Sequence, residues 1–181
     1  ARVYLGMGRD EDAKDELTSA EKIASDNPSI KIQLARTFLR MKRYEEAERW
    51  CAQAAELTPD NPAVHFLMGK IHALREDMDR SEESYREVVR LNPKKPVFRV
   101  LAQVRLVEAA VQSKRLEDAA RELNQMPMNR KTAPIVHRLF GDLYRQKGMF
   151  KEAVEYYRAA LMQTSDNEDL HPLDLGQYLT G

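Results

Sequence analysis

Histidine and cysteine are the residue types in this sequence best suited to hold a metal ion or to act as a nucleophile. His65 and His72 are seven residues apart with no third ligand near them in sequence, and a zinc site needs further protein ligands. Cys51 is the single cysteine, which excludes an internal disulfide and a multi-cysteine zinc site. No glycine-rich phosphate loop, nucleophile elbow or His–Glu metalloprotease motif is present. We therefore predict that the chain is not an enzyme and has neither a metal ion nor a cofactor.

Charge and hydropathy exclude two classes of partner. The sequence has 29 Lys plus Arg and 29 Asp plus Glu, so its formal net charge is zero. Neutralising phosphates requires clustered cations, so we expect no nucleic-acid partner. No apolar run reaches the roughly 18 residues that a membrane-spanning helix needs, so we expect no membrane insertion. A lone cysteine favours the cytoplasm as the compartment and leaves the periplasm open.

Small residues recur along the chain with one dominant period, and this period indicates a repeating arrangement of helices. One small position has spacings of 34, 34, 38 and 34 residues and is occupied by Ala13, Ala47, Ser81, Ala119 and Ala153. A second small position is occupied by Ala1, Ala35, Gly69, Val107 and Gly141. Apolar residues recur around both positions at three- and four-residue spacing, which gives each helix one buried stripe. The pattern predicts pairs of short helices that become stable when they stack.

Two stretches resemble tetratricopeptide repeats: GKIHALREDMDRSEESYREVVRLNP and GDLYRQKGMFKEAVEYYRAAL. Both have the small–aromatic–small–aromatic order of that family, and the first also ends in its proline. The resemblance covers about residues 1–167. It implies an all-α fold, a right-handed α-solenoid of stacked antiparallel helix pairs, and a role in binding other proteins.

The period divides the chain into repeats. We predict a tetratricopeptide-like array over residues 1–167, followed by a capping helix or a tail over residues 168–181. The repeats are a truncated one and four longer ones, at 1–27, 28–61, 62–95, 96–133 and 134–167. The repeat at 96–133 has four additional residues, placed at Pro96–Arg99, and Pro127 is expected to end its second helix early. Because the first residues already have the pattern of a helix interior, we expect a fragment of a longer protein.

The resemblance places the first helix of each repeat, helix A, on a concave groove in which partner peptides commonly lie. The positions that we select as partner-binding are Arg2, Ile32, Arg36, Arg40, Phe66, Lys70, Arg105, Glu108, Arg138 and Asp142. One of these repeat positions changes sign along the chain, from Arg2, Arg36 and Lys70 to Glu108 and Asp142. This polarity favours a partner peptide with acidic groups in the N-terminal half of the groove, with Ile32 and Phe66 as apolar anchors. The alternative is a solvated face with ordinary charge scatter.

Two functions from different classes fit these features. The first is a non-enzymatic scaffold that holds a peptide or a helix of a partner in the groove. The second is a regulatory or targeting arm of a larger multidomain enzyme or of an export or assembly machine. Self-association through an uncovered N-terminal face is also open. Trp50, in a second helix, either forms a separate contact patch or packs its ring across the neighbouring helix.

Overall fold

The structure, a computed structural model, describes Glu16, Ser19 and residues 26–91 and 96–165. Within 26–91 and 96–165 these residues form helices joined by turns, as the sequence pattern predicts for an all-α fold. The helices are α1 Pro28–Arg40, α2 Tyr44–Leu57, α3 Pro62–Leu74, α4 Met78–Arg90, α5 Pro96–Gln112, α6 Leu116–Gln125, α7 Ala133–Gln146 and α8 Phe150–Ser165. None of the helices in the described ranges is long and apolar enough to cross a membrane. The described residues do not include Arg2 or the tail at 168–181. Of the truncated repeat at 1–27, they include only a few positions.

The chain divides into two compact units, residues 1–91 and 92–181, which we call the N-terminal and the C-terminal unit. The N-terminal unit contains α1–α4 and the C-terminal unit contains α5–α8. In each unit the helices pack in consecutive pairs, and the short turn within each pair makes its helices antiparallel. Within its unit, α2 also packs on α3, and α6 packs on α7. Each pair is therefore one hairpin, with α1, α3, α5 and α7 as its first helix.

Asn-Pro pairs begin the first helices of the N-terminal unit. The side-chain oxygen of Asn27 accepts hydrogen bonds from the backbone N–H groups of Ser29 and Ile30, at 3.0 and 3.2 Å. Asn61 caps α3 in the same way, accepting from the N–H of Ala63 at 3.0 Å. The following proline has no N–H to leave unsatisfied in the first turn and its φ already suits a helix. The Asn-Pro pair therefore fixes where each of these helices starts.

One backbone motif ends the first helix of all four hairpins. The residue at this turn has a left-handed conformation in each case: Lys42 with φ 58°, Glu76 with φ 63°, Lys114 with φ 57° and Gly148 with φ 75°. The next residue donates its N–H to a carbonyl five positions earlier, as from Arg43 to Phe38 at 2.9 Å and from Met149 to Tyr144 at 3.0 Å. This hydrogen bond satisfies a carbonyl that the helix end would otherwise leave unpaired.

Small and large residues compensate one another where the two helices of a hairpin touch. A Cβ added to Gly69 would lie 2.7 Å from the ring of Tyr85, and one added to Gly141 would lie 2.5 Å from the ring of Tyr157. The other hairpins place intermediate sizes at the same two positions, sixteen residues apart: Ala35 with Cys51, and Val107 with Leu123. All of these residues except Tyr157 lie in the protein interior. The contact tolerates a large side chain on one helix because the facing residue is small.

The hairpin of α5 and α6 differs from the others in helix length. α5 begins at Pro96 and has 17 residues, whereas α1 and α3 have 13 each. α6 has 10 residues and ends at Gln125, two positions before Pro127, whereas α2 has 14. A proline in a helix interior removes a backbone hydrogen bond and clashes with the preceding turn, so α6 ends before it.

Candidate partner-binding faces

The first helix of the N-terminal unit presents a stripe of Ile32, Arg36 and Arg40, four residues apart along α1. Ile32 is half-buried and packs against the core of this unit. Arg36 is half-buried and Arg40 is exposed. Within the described residues, neither of these two arginines forms an ion pair with a carboxylate. The stripe therefore offers two guanidinium groups beside an apolar side chain.

The equivalent face of α3 contains Phe66 and Lys70, of which Lys70 is half-buried. Phe66 is buried, and its ring packs against that of Tyr85 with centroids 5.5 Å apart and a tilt of 54°. The sequence predicts Phe66 as an apolar anchor of the groove; in the structure its ring is part of the contact between α3 and α4, where burying so large a ring stabilises the hairpin. Leu74, 47% exposed at the end of α3, is the accessible apolar side chain of this helix.

The first helices of the C-terminal unit carry a continuous network of ion pairs. Glu108 accepts from Arg105 at 3.0 Å within α5 and from Arg138 of α7 at 3.1 Å. Arg138 also donates to Asp142 at 3.0 Å, and the hydroxyl of Tyr157 donates to the same carboxylate at 2.7 Å. Burial and this hydrogen bond raise the pKa of Tyr157. Both acidic positions are therefore compensated by neighbouring arginines, so the change of sign in the sequence does not produce a free acidic surface.

Matches to family models identify the repeat. A model described as tetratricopeptide repeat-like domain matches residues 52–175, and a model described as tetratricopeptide repeat matches residues 4–71. The first match covers more than half of the chain. The chain belongs to the tetratricopeptide repeat-like family. Members of this family are protein-interaction modules that typically have no catalytic activity.

Solved structures confirm the fold class, an all-α solenoid of tetratricopeptide type. A crystal structure of MamA matches with a TM-score of 0.72 and 14% identity, covering 90% of this chain and 97% of that one. A second structure of MamA matches with a TM-score of 0.70 and 14% identity, covering 94% and 96%. The APC/C hetero-tetramer Cut9–Hcn1 matches with a TM-score of 0.65 and 15% identity, covering 84% of this chain and 29% of that one. At these identities the likeness shows the fold alone. No curated protein sequence was found to match the chain.

Trp50 of this tetratricopeptide chain packs between helices. Its side chain is only 8% exposed, and the ammonium group of Lys31 lies 5.4 Å from the centroid of its ring. Lys31 is itself buried and donates to the side-chain oxygen of Gln53 at 2.8 Å. A buried ring held by a cation and a helix partner favours the packing alternative over a separate contact patch.

Cys51 and His72, two of the side chains considered above as a nucleophile or metal ligand, are both buried. Cys51 is buried, its thiol donates to the carbonyl of Val64 at 3.4 Å, and burial raises its pKa to about 12. A thiol with this pKa remains protonated at neutral pH and is a poor nucleophile. His72 is buried too, and burial lowers its pKa. Among the described residues, no group of three or more His, Cys, Asp or Glu side chains could hold a metal ion.

Proposed function

We propose that this chain is a non-enzymatic protein-interaction scaffold, and that a peptide or helix of its partner lies against the first helices of the repeats. The family supports a scaffold, because stacked helix pairs present long surfaces with regularly spaced side chains. A structural neighbour, the APC/C hetero-tetramer Cut9–Hcn1, is an assembly of different proteins. In the N-terminal unit the proposed contacts are Ile32, Arg36, Arg40 and Lys70, with Leu74 as apolar anchor. In the C-terminal unit they are Arg105, Glu108, Arg138 and Asp142.

The observation that supports an acidic partner is the difference in charge pairing between these two faces. Arg36 and Arg40 have no carboxylate partner within the described residues, so an acidic side chain can pair with them without displacing another. Glu108 and Asp142 already hold the arginines around them. An acidic peptide would have to break those pairs before it gained new ones. Complementary charge raises both the association rate and the specificity of a partner, so acidic groups are expected to engage the N-terminal unit.

Two defined probes test this proposal. The first is a fluorescent peptide of alternating Glu and Leu, and the second has Lys in place of Glu. We expect the acidic probe to bind and the basic one not to bind. Replacing both arginines, Arg36→Glu with Arg40→Glu, should weaken the acidic probe about tenfold, and more at low salt.

The matched control makes the same change in charge elsewhere. Lys147→Glu with Lys151→Glu alters two exposed lysines around the start of α8. This control should leave the affinity for the acidic probe close to that of the unmodified chain. If both double variants weaken the probe equally, overall charge explains binding and the face on α1 does not. Capture from lysate with the same variants would then identify the natural partner.

The scaffold is favoured over the alternative of a regulatory or targeting arm, because no feature of the described residues points to a specific larger machine. Self-association remains a separate proposal. Light scattering over a range of protein concentrations tests it. A mass that rises with concentration and is insensitive to the charge variants would place contact between copies away from the stripe on α1.

A further inference from the structure

The first helices of the N-terminal unit contain cationic side chains and no acidic ones. α1 and α3 together contain Arg36, Arg40 and two lysines, and neither helix has an Asp or a Glu. By contrast, α5 contains Glu108 and α7 contains Asp142, the carboxylates that pair with arginines in the C-terminal unit. A negative partner for the two arginines of α1 therefore does not come from the first helices of their own unit.

Acidic side chains of the second helices in this unit are engaged by other arginines. Four such ion pairs are Glu46 with Arg43, Glu48 with Arg75, Glu82 with Arg86 and Glu87 with Arg90. Arg36 and Arg40 take part in none of these pairs, and they form no ion pair with any residue that the structure describes. The two arginines therefore provide two positive charges that a bound partner can neutralise.

Arg36 and Arg40 are placed to act on one anionic group. They are four residues apart on α1, so their Cβ atoms lie about 5–6 Å from each other on one face of the helix. Arg36 is half-buried and Arg40 is exposed. Two long side chains one turn apart can bring both guanidinium groups to the same anion.

The number of oxygens on that anion decides how well it satisfies both arginines. A carboxylate shared by two arginines has one oxygen for each, as in Glu108, which accepts from Arg105 on Oε2 and from Arg138 on Oε1. A phosphate monoester has three acceptor oxygens and a charge of about −1.5 to −2 at neutral pH. It can therefore form a bidentate contact with one guanidinium and still accept from the other. Its charge also matches that of the two arginines.

We propose that the acidic group held by Arg36 and Arg40 is a phosphorylated side chain of the partner, phosphoserine or phosphothreonine. Ile32, half-buried one turn before Arg36, adds apolar surface beside the phosphate. Two cations suit a single dianion, whereas a polyanion such as nucleic acid requires a longer row of them. The proposal rests on the scaffold function proposed above and adds that phosphorylation of the partner controls its binding.

Three fluorescent peptides of one otherwise neutral, leucine-containing sequence test this inference on the full chain. They differ only at the central residue, which is serine, glutamate or phosphoserine. We expect the phosphoserine peptide to bind about tenfold more tightly than the glutamate peptide, because it has a third acceptor oxygen and more negative charge. The serine peptide should bind most weakly. Fluorescence anisotropy measures all three affinities.

A double-mutant cycle with Arg36→Gln, Arg40→Gln and both changes together locates the phosphate. If the two arginines hold it jointly, each single variant should lose most of the tenfold preference, and the double variant should lose little more. The matched control, Lys147→Gln with Lys151→Gln, removes two exposed positive charges around the start of α8 and should keep the preference. Urea unfolding checks that all variants remain folded.

The outcomes separate this inference from the proposed function. Equal affinities for the phosphoserine and glutamate peptides would overturn the inference and leave the acidic-partner proposal intact. Binding of neither peptide would count against both. A preference that survives in the double variant would also overturn the inference, because the phosphate would then bind elsewhere. Displacement of the phosphoserine peptide by a DNA oligonucleotide at equal phosphate concentration would overturn it too, since the face would then bind polyanions in general.

Discussion

The first helices of the two units differ in how their charged side chains are paired. In the N-terminal unit, Arg36 and Arg40 project from α1 without an ion pair among the described residues. In the C-terminal unit, Glu108 and Asp142 each pair with arginines, and Arg138 of α7 pairs with Glu108 of α5 and with Asp142 of its own helix. One repeat position therefore has a carboxylate paired with arginines in the C-terminal unit, and in α1 of the N-terminal unit an arginine without an ion pair among the described residues. Repeat position alone does not reveal which role a charged residue has.

The largest expected effect concerns the small–large residue pairs that join the two helices of a hairpin. It tests whether such a pair can be exchanged between hairpins. Gly141→Val should lower the free energy of unfolding by about 2–3 kcal/mol, because an added Cβ lies 2.5 Å from the ring of Tyr157. Adding Tyr157→Leu should recover part of this loss, since Val107 with Leu123 is the pair that another hairpin already uses. Urea unfolding measures both variants. A double variant as unstable as the single one would show that the compensating pairs are not interchangeable between hairpins.

The next effect compares an arginine that forms ion pairs with one that forms none among the described residues, by their contributions to stability. Arg138→Gln removes the group that links Glu108 to Asp142, and should cost about 1 kcal/mol of stability. Arg36→Gln should change stability by less than about 0.5 kcal/mol, because no ion pair is lost within the described residues. Chemical denaturation in urea at low and high salt measures the difference, which should shrink as salt screens the network. Equal losses for the two variants would remove the distinction between the units.

An effect of similar size tests the turn that all four hairpins share. Gly148→Ala should destabilise the chain by about 1 kcal/mol, because its φ of 75° disfavours a residue with a Cβ. No neighbouring atom lies within 4 Å of the added Cβ, so the cost comes from the backbone alone. Glu76→Gly should have the opposite sign and gain about 0.5 kcal/mol, since Glu76 adopts the same conformation with φ 63°. Thermal unfolding checks both signs, and a stabilising Gly148→Ala would contradict the backbone explanation.

The helical architecture was readable from the sequence because it depends on periodic residue types. Small residues at Gly69 and Gly141 and prolines at Pro28 and Pro62 carry the period directly. The left-handed turn residues were missed, since three of the four are not glycine and only Gly148 has the usual signature. All four turn residues occupy the same position after the first helix, and this shared position could have indicated a common turn conformation.

The candidate faces were less predictable, because side-chain direction decides them. The pairs Arg105–Glu108 and Arg138–Asp142 follow helical spacing and could be foreseen. The contact from Arg138 to Glu108 joins residues 30 positions apart, so it depends on how α5 and α7 pack. Phe66 was selected as an apolar anchor of the groove from its repeat position, and the structure adds that its ring lies against Tyr85. Tertiary packing, which periodicity does not encode, determines both outcomes.

The smallest expected effect comes from giving the C-terminal unit unpaired arginines like those on α1 of the N-terminal unit. Glu108→Gln with Asp142→Asn removes both carboxylates and leaves Arg105 and Arg138 without their ion-pair partners. If pairing is what keeps acidic peptides away from the C-terminal unit, this variant should bind the acidic probe about threefold more tightly. The gain should persist when Arg36→Glu and Arg40→Glu are also present, because the new site would lie on α5 and α7. Fluorescence titration at low salt measures both, with urea unfolding as the control for an intact fold. An unchanged affinity would mean that the shape of the N-terminal face, and not its free charge, selects an acidic partner.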